Sequence, residues 1–294
     1  MICCFGSLNI DIVYAVAHTV RPGETLAAGR PVTHAGGKGL NQTVALARAG
    51  ETVAHAGKIG ADGLFLRDLL ETAGADVSQV TVDDEVGTGH ALIQVSPDGQ
   101  NAILLYGGAN RTITDADITR VLDGLTGDDL LLLQNELNDT ARILEMARER
   151  GIPVALNLAP YSDDVWDLQG VSYLFVNETE GQGLTRQTAP EEILRRLGEL
   201  CPGVSVLTLG TRGALAYADG CVYRTPCVSV TAVDTTGAGD TYTGYFLAGV
   251  REGMSIPAAM SLAAHASALQ VTRPGAAEAI PTRAEVGAFM ALRA

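Results

Sequence analysis

Short, β-branched apolar runs alternate with longer amphipathic stretches through most of the chain. Candidate strands cover residues 2–5, 53–59, 130–134, 154–157, 173–176 and 204–209. Between them, apolar positions recur at helical spacing in 41–49, 63–73, 140–150 and 190–200. Near-continuous apolar strands separated by helices predict a parallel sheet buried on both faces, an α/β fold in layers.

Two segments break that rhythm. Residues 12–34 and 87–106 alternate apolar and polar positions with no helix between them, and Ser96-Pro97-Asp98-Gly99 is a turn signal inside the second. They predict a small, mainly antiparallel sheet projecting from the main domain as a lid. An edge extension of the main sheet is the alternative. Strand alternation puts Ala91 and Ile93 on one lid face and His90 and Gln94 on the other, where the polar pair faces solvent. With no repeat or linker in view, residues 1–294 are expected to form a single domain.

Composition narrows the function. The 294 residues are 47% apolar and carry a formal net charge of −14, with Lys38 and Lys58 the only lysines. That balance excludes a nucleic-acid surface, which draws on clustered Lys and Arg. Any anion site must be built locally, from backbone N–H groups and a few cations. No apolar run reaches the roughly 18 residues of a membrane span. Residues 1–11 lack a basic n-region and read as a first strand, not a secretory signal. Cys3, Cys4, Cys201, Cys221 and Cys227 form no CxxC pair and no metal-ligand spacing with His, which suggests reduced thiols in a cytoplasmic protein.

The sharpest chemical signal lies in the last third. A β-branched run at 228–233 precedes the small residues 235–239 and a helical pattern over 241–252. Strand, glycine-rich turn and helix together form an anion site, because the glycines let N–H groups converge at a helix N-terminus. Asp240 at that helix start is either a first-turn cap or a carboxylate able to take a hydroxyl proton beside the anion hole. Near the beginning, Ala35-Gly36-Gly37-Lys38-Gly39-Leu40-Asn41-Gln42 is neither a Walker P-loop nor a GxGxxG segment, which disfavours a dinucleotide-binding dehydrogenase. It is either a structural turn or a close backbone approach to a ligand, with Lys38 and Asn41 reaching polyol oxygens. Asn9, Asp11 and Glu136 follow strand ends, where ligands of open α/β sheets bind, although simple loop caps would look the same.

The combination of Gly36-Gly37-Lys38-Gly39-x-Asn41 with Asp234-Thr235-x-Gly237-Ala238-Gly239-Asp240 resembles the two signatures of the ribokinase-like, phosphofructokinase-B type carbohydrate kinases. The likeness extends over the whole chain. It includes Gly6-Ser7-x-Asn9-x-Asp11, Val176-Asn177-Glu178-Thr179-Glu180, Thr208-Leu209-Gly210-Thr211-Arg212-Gly213 and Val271-Thr272-Arg273-x-Gly275-Ala276, in the family's order. The resemblance implies a three-layer α/β/α fold, a central mainly parallel sheet and a β-sheet lid used as a homodimer clasp. It implies ATP-dependent phosphorylation of a sugar hydroxyl, with Asp240 as general base and Gly237, Ala238 and Gly239 as anion hole. Asn9, Asp11, Gly37, Lys38, Asn41, Glu136 and Asp234 resemble the sugar-binding set. Asn177 and Glu180 resemble the residues that handle ATP phosphates and Mg²⁺, Glu180 through water. Thr208, Gly210, Gly213 and Gly239 resemble the nucleotide-binding loops, and His265 matches a position beside adenine. Asp234, Thr236, Arg273 and Gly275 fall where the family binds a monovalent cation, commonly K⁺, largely through backbone oxygens.

The polar set is of the ribose-binding type, so the expected reaction is ribose to ribose 5-phosphate. Another free sugar, a sugar acid or a nucleoside stays open, as does a non-catalytic sugar sensor, against which the retained Asp240 and 237–239 turn speak. Sugar phosphates are disfavoured, since only Arg21, Arg30 and Arg111 lie in or beside the lid segments. Three departures stand out. In the lid, His90 and Gln94 stand where the familiar pattern is more apolar. Asn157-Leu158-Ala159-Pro160 replaces a segment with two prolines, and the helix before Val271 is one residue short near Gln270, which unsettles the cation ligands.

Overall fold

A computed structural model describes residues 1–164 and 167–293. The strands are β1 (Ile2–Phe5), β2 (Asn9–Ala15), β3 (Val32–Gly36), β4 (Val53–Gly60), β5 (Asp76–Asp83), β6 (Gly89–Val95) and β7 (Asn101–Tyr106). They continue as β8 (Leu130–Gln134), β9 (Val154–Asn157), β10 (Val171–Asn177), β11 (Val204–Thr208), β12 (Ala214–Ala218) and β13 (Cys221–Thr225). The helices are α1 (Lys38–Ala49), α2 (Leu64–Thr72), α3 (Asp115–Asp123), α4 (Thr140–Glu149), α5 (Glu178–Thr185), α6 (Pro190–Leu200), α7 (Ala238–Arg251), α8 (Ile256–Gln270) and α9 (Arg283–Ala291).

The main sheet runs β13-β12-β11-β10-β9-β8-β1-β4-β5. The seven strands from β11 to β5 are mutually parallel, and β12 and β13 close one edge antiparallel. Strand β1 shows why both faces need helices. Its Ile2 and Cys4 pack with Leu40 and Val44 of α1 and Phe246 of α7. The intervening Cys3 and Phe5 pack with Ile118 and Leu122 of α3 and Ile143 of α4. Successive side chains point to opposite faces, so an all-apolar strand demands cover on both. The result is the expected three-layer α/β/α sandwich.

The two interrupting segments meet in a separate sheet ordered β3-β2-β6-β7. Pairs β2–β3 and β6–β7 are antiparallel, while β2–β6 is parallel. The Ser96–Gly99 turn forms as read: Gly99 N–H donates to Ser96 O at 2.9 Å, and Gly99 takes a φ of +81°. His90 and Gln94 are both half-buried, each with a neighbour at the lid surface. The His90 ring lies 5.1 Å from that of Tyr106, and Gln94 Oε1 accepts from Val20 N–H at 2.9 Å.

One expected strand is absent. Residues 228–233 join no ladder, because β13 already occupies that edge of the sheet and Pro226 interrupts the chain after it. The run instead lines a cleft beside α7 and α8.

Candidate active site

Glycines let the N-terminal ends of two helices converge. At Gly37, with φ +97°, a Cβ would meet Ser7 O at 2.7 Å, and at Gly39 one would meet Gly6 C at 2.5 Å. Helix α1 therefore rests directly on the turn after β1. Gly244 does the same for α7, where a Cβ would meet Ala45 Cβ of α1 at 2.5 Å. Because the main strands are parallel, their carboxyl ends share one side, and Asn9, Glu136, Asn177 and Thr208 all arrive there.

Asp240, in the first turn of α7, is buried and held by amides from α1. Asn41 Nδ2 donates to Oδ2 at 3.0 Å, and Gln42 Nε2 donates to Oδ1 at 2.9 Å. Behind them Gln134 Nε2 donates to Gln42 Oε1 at 2.7 Å. Lys38 sits among three carboxylates. Burial alone would lower its pKa, but Asp240, Glu136 and Glu180 outweigh that and raise it, so the ammonium is firmly charged. Glu136 accepts from Lys38 N–H at 3.1 Å and from Ser7 Oγ. The N-terminus of α1 thus holds a protein carboxylate.

Asn9 and Asp11 lie at the root of the lid, on β2. Asn9 Oδ1 accepts from Asn110 Nδ2 at 2.8 Å, and Asn110 also bonds both backbone groups of Leu8. The Asp11 carboxylate lies over Gly36, where a Cβ would meet it at 2.2 Å. Burial, then the neighbouring Glu136 and Glu278, push its pKa up to about 7, with no hydrogen bond opposing them.

Beyond the start of α7 opens a cleft of about 440 Å³. Thr208, Gly210, Gly213, Ala238 and Gly239 line it, with Val228, Val230 and Tyr242 forming apolar walls. Gly237 turns the chain at φ +75°, and the space facing Gly239 is open. Asp240 therefore stands between this cleft and the Asn9, Asp11 and Lys38 side. Two other clefts, beside Arg148 and beside Phe65, lie away from these residues.

Asn177 and Glu180 form the capping box of α5: Asn177 Oδ1 accepts from Glu180 N–H at 2.9 Å, and Glu180 Oε2 accepts from Asn177 N–H at 2.8 Å. Burial raises the Glu180 pKa despite these bonds and the Lys38 charge. His265 is not among the residues lining the cleft. Its Nδ1 lies 2.8 Å from Ser261 O, and its ring packs edge-on to Phe289.

The two metals expected from the resemblance fare differently. Among the described residues no three acidic, His or Cys side chains cluster as a metal cage. Glu180, near enough to Lys38 and Asp240 to interact with both charges, fits with Asn177 a Mg²⁺ held through waters and ATP oxygens, the usual habit of that ion. The monovalent-cation residues do not fit. Asp234 Oδ1 accepts from Thr236 N–H and Oγ1 at 2.9 and 2.7 Å, and Oδ2 accepts from Gly275 N–H at 3.0 Å. Gln270 Nε2 donates to Thr236 O at 2.5 Å, so a side-chain amide joins the loops where an ion was expected. The Arg273 guanidinium, which has no acceptor to offer a cation, pairs with Glu285 at 2.7 Å.

Ser7, Gln42, Asn110 and Gln134 were not singled out in the sequence. Gln134 alone left a small signal, a polar residue at the end of an otherwise apolar buried strand.

The pfkB family carbohydrate kinase model matches residues 1–283. The ribokinase of Haemophilus influenzae is 33% identical over 297 residues, covering 97% of this chain and 96% of that protein. The ribokinase of Bacillus subtilis is 33% identical over 292 residues, covering 97% of each. The structure of Arabidopsis thaliana ribokinase complexed with ribose and ATP superposes with a TM-score of 0.87 at 29% identity, covering 98% of both chains. With a family match over most of its length and relatives this similar, the chain belongs to the pfkB family of carbohydrate kinases and is an ATP-dependent sugar kinase.

Proposed function

We propose that the chain phosphorylates D-ribose to ribose 5-phosphate, with Asp240 as general base. The observation that carries this is the position of Asp240 between a polyol-binding side and an anion turn. Asp11, Lys38 and Asn41 lie on one side, and residues 237–239 open on the nucleotide cleft. The acceptor hydroxyl gives its proton to the Asp240 carboxylate as its oxygen bonds to the γ-phosphorus, and the bond to the ADP oxygen breaks. N–H groups at the start of α7 and the Lys38 ammonium receive the charge that develops on the transferring group. Asn177 and Glu180 would hold Mg²⁺ through water, and the ion would supply positive charge against the phosphates of ATP. Asn9, Asp11 and Glu136 supply acceptors for ribose hydroxyls, and Asn110 and Ser7 keep two of them oriented.

The lid supports a homodimer. Strand β7 is a free edge that exposes Ile103, Leu104, Leu105 and Tyr106 in succession, a surface that pairs with another chain unless protected. Five free cysteines support a cytoplasmic setting.

An ADP-release screen over ribose, other pentoses, hexoses, sugar acids, sugar phosphates and nucleosides tests the acceptor. Ribose should give the highest kcat/KM, and preference for a nucleoside or sugar phosphate would overturn the reading. Asp240→Asn should lower kcat by about 10²-fold or more, the scale of a lost general base. Near-full turnover would remove Asp240 from that role.

A further inference from the structure

The two amides on Asp240 are not equivalent. Asn41 uses its nitrogen on Oδ2, but its own Oδ1 is buried without a partner. It has an acceptor ready for a sugar hydroxyl and is free to exchange partners. Gln42 is fully buried, and both ends of its amide are engaged, the nitrogen by Asp240 Oδ1 and the oxygen by Gln134 Nε2. Gln134 is itself packed in place. Its Nε2 lies 3.5 Å from Cys4 Sγ, and a Cβ at Gly6 would meet its Oε1 at 2.1 Å. Gly6 is thus required for Gln134 to stand where it does. An amide gripped at both ends cannot rotate to release the carboxylate.

We propose that Gln42 is a positioning residue that anchors Asp240 Oδ1, leaving Oδ2 as the oxygen that receives the acceptor proton. The line runs from Gly6 through Gln134 and Gln42 to the base. It fixes the carboxylate plane while Asn41 turns from Oδ2 to the incoming sugar. This inference rests on Asp240 being the base. The charged and titratable groups facing Asp240 are Lys38 at the start of α1, Glu180 of α5 and, more distantly, the Cys4 thiol of β1. None of them changes in the variants below.

Gln42→Met keeps the volume and removes the donor. Its kcat should fall about 10- to 100-fold, the loss expected for one hydrogen bond to a charged group, with ribose KM within about threefold of the parent. Because Gln42 acts on the base and not on the sugar, the loss should fall on kcat and spare KM. Gln134→Met, which frees Gln42 without touching Asp240, should lower kcat in the same way by less. A merely structural role would lower the melting temperature and leave kcat of the folded enzyme in place. An unchanged kcat in both folded variants, or a loss that falls on KM instead, overturns the inference; should Gln42→Met fail to fold, an unchanged kcat in Gln134→Met alone does so. Asp240→Asn measured alongside separates the two failures. If that variant keeps turnover, the base assignment falls; if it is inactive while Gln42→Met behaves as the parent, only the anchoring falls.

Discussion

Replacing Asp11 by Asn should stabilise the protein while weakening its hold on sugar, and the stabilisation should depend on pH in a defined way. The carboxyl goes from an ordinary value of 3.8 to about 7 in the folded chain, chiefly through burial and then through Glu136. At about 1.4 kcal/mol per unit, that difference bounds the cost of ionising it at about 4 kcal/mol. Solvent still reaching this half-buried group reduces the figure to about 1–3 kcal/mol. The sign follows from proton uptake. Between the two values the folded chain binds more protons than the unfolded one, so stability falls as pH rises. The contribution is intact below 3.8, is lost through about 7, and changes no further above it. Asp11→Asn removes the titration, so its advantage should grow from small near pH 4 to full near pH 8. Urea denaturation of both proteins at several pH values measures it, and calorimetric titration with ribose measures the cost. Ribose should bind more weakly to the variant at pH 8, because a carboxylate accepts hydroxyl hydrogen bonds better than an amide oxygen. A stability difference that does not change between pH 4 and pH 8 would refute the reasoning, whatever its size.

Three further outcomes are expected. Turnover and melting temperature should be the same in potassium, sodium and choline chlorides at equal ionic strength, because Gln270 already bridges to Thr236 O; saturable activation or stabilisation by K⁺ would contradict this. Leu104→Glu on the exposed β7 edge should convert a dimer into a monomer by analytical ultracentrifugation, with the fold intact by circular dichroism, and a parent protein that sediments as a monomer would dismiss the lid interface. Gly39→Ala should cost about 1–3 kcal/mol in denaturation, since the new Cβ meets backbone of Gly6 and Ser7 at 2.5 Å and neither can yield cheaply. Wild-type stability there would mean that α1 does not rest on the β1 turn.

The parts of the fold that could be read from the sequence share one physical property. Residues 2–5, 130–134 and 154–157 coincide with β1, β8 and β9 because a parallel strand covered on both faces must be apolar at every position. Where only one face is covered, the pattern blurs. Strand β5, at the far edge with alternating exposed and half-exposed residues, was not distinguished, and neither was the exposed edge strand β13. The run at 228–233 has strand composition, but which segment occupies the edge is settled by competition within the sheet, and β13 holds that place. Glycine motifs marked both halves of the site because close helix approach leaves a mark in the chain. Gln42, Asn110 and Gln134 left little mark, since their partners are remote. Gln42 meets an acceptor 198 positions away.

Where the hydrogen bonds go argues against a helix cap at Asp240 and supports the proposed role as base. A capping side chain accepts from backbone N–H groups of its own first turn. Asn177 and Glu180 do this at α5, with reciprocal bonds to each other's N–H. At α7 the position before the helix is Gly237, which has no side chain to cap with, and both Asp240 oxygens accept from α1 instead. The first N–H groups of α7 are thus left uncapped by Asp240, next to the cleft that would receive a phosphate. Two helices that begin with similar acidic sequences therefore spend their carboxylates differently. Glu180 completes its own helix, whereas Asp240 is withheld from its helix and held for an acceptor by side chains from α1. A carboxylate that gives up a local bond, and is gripped from another helix instead, is not a cap, and the proposed role as base gives that arrangement a use.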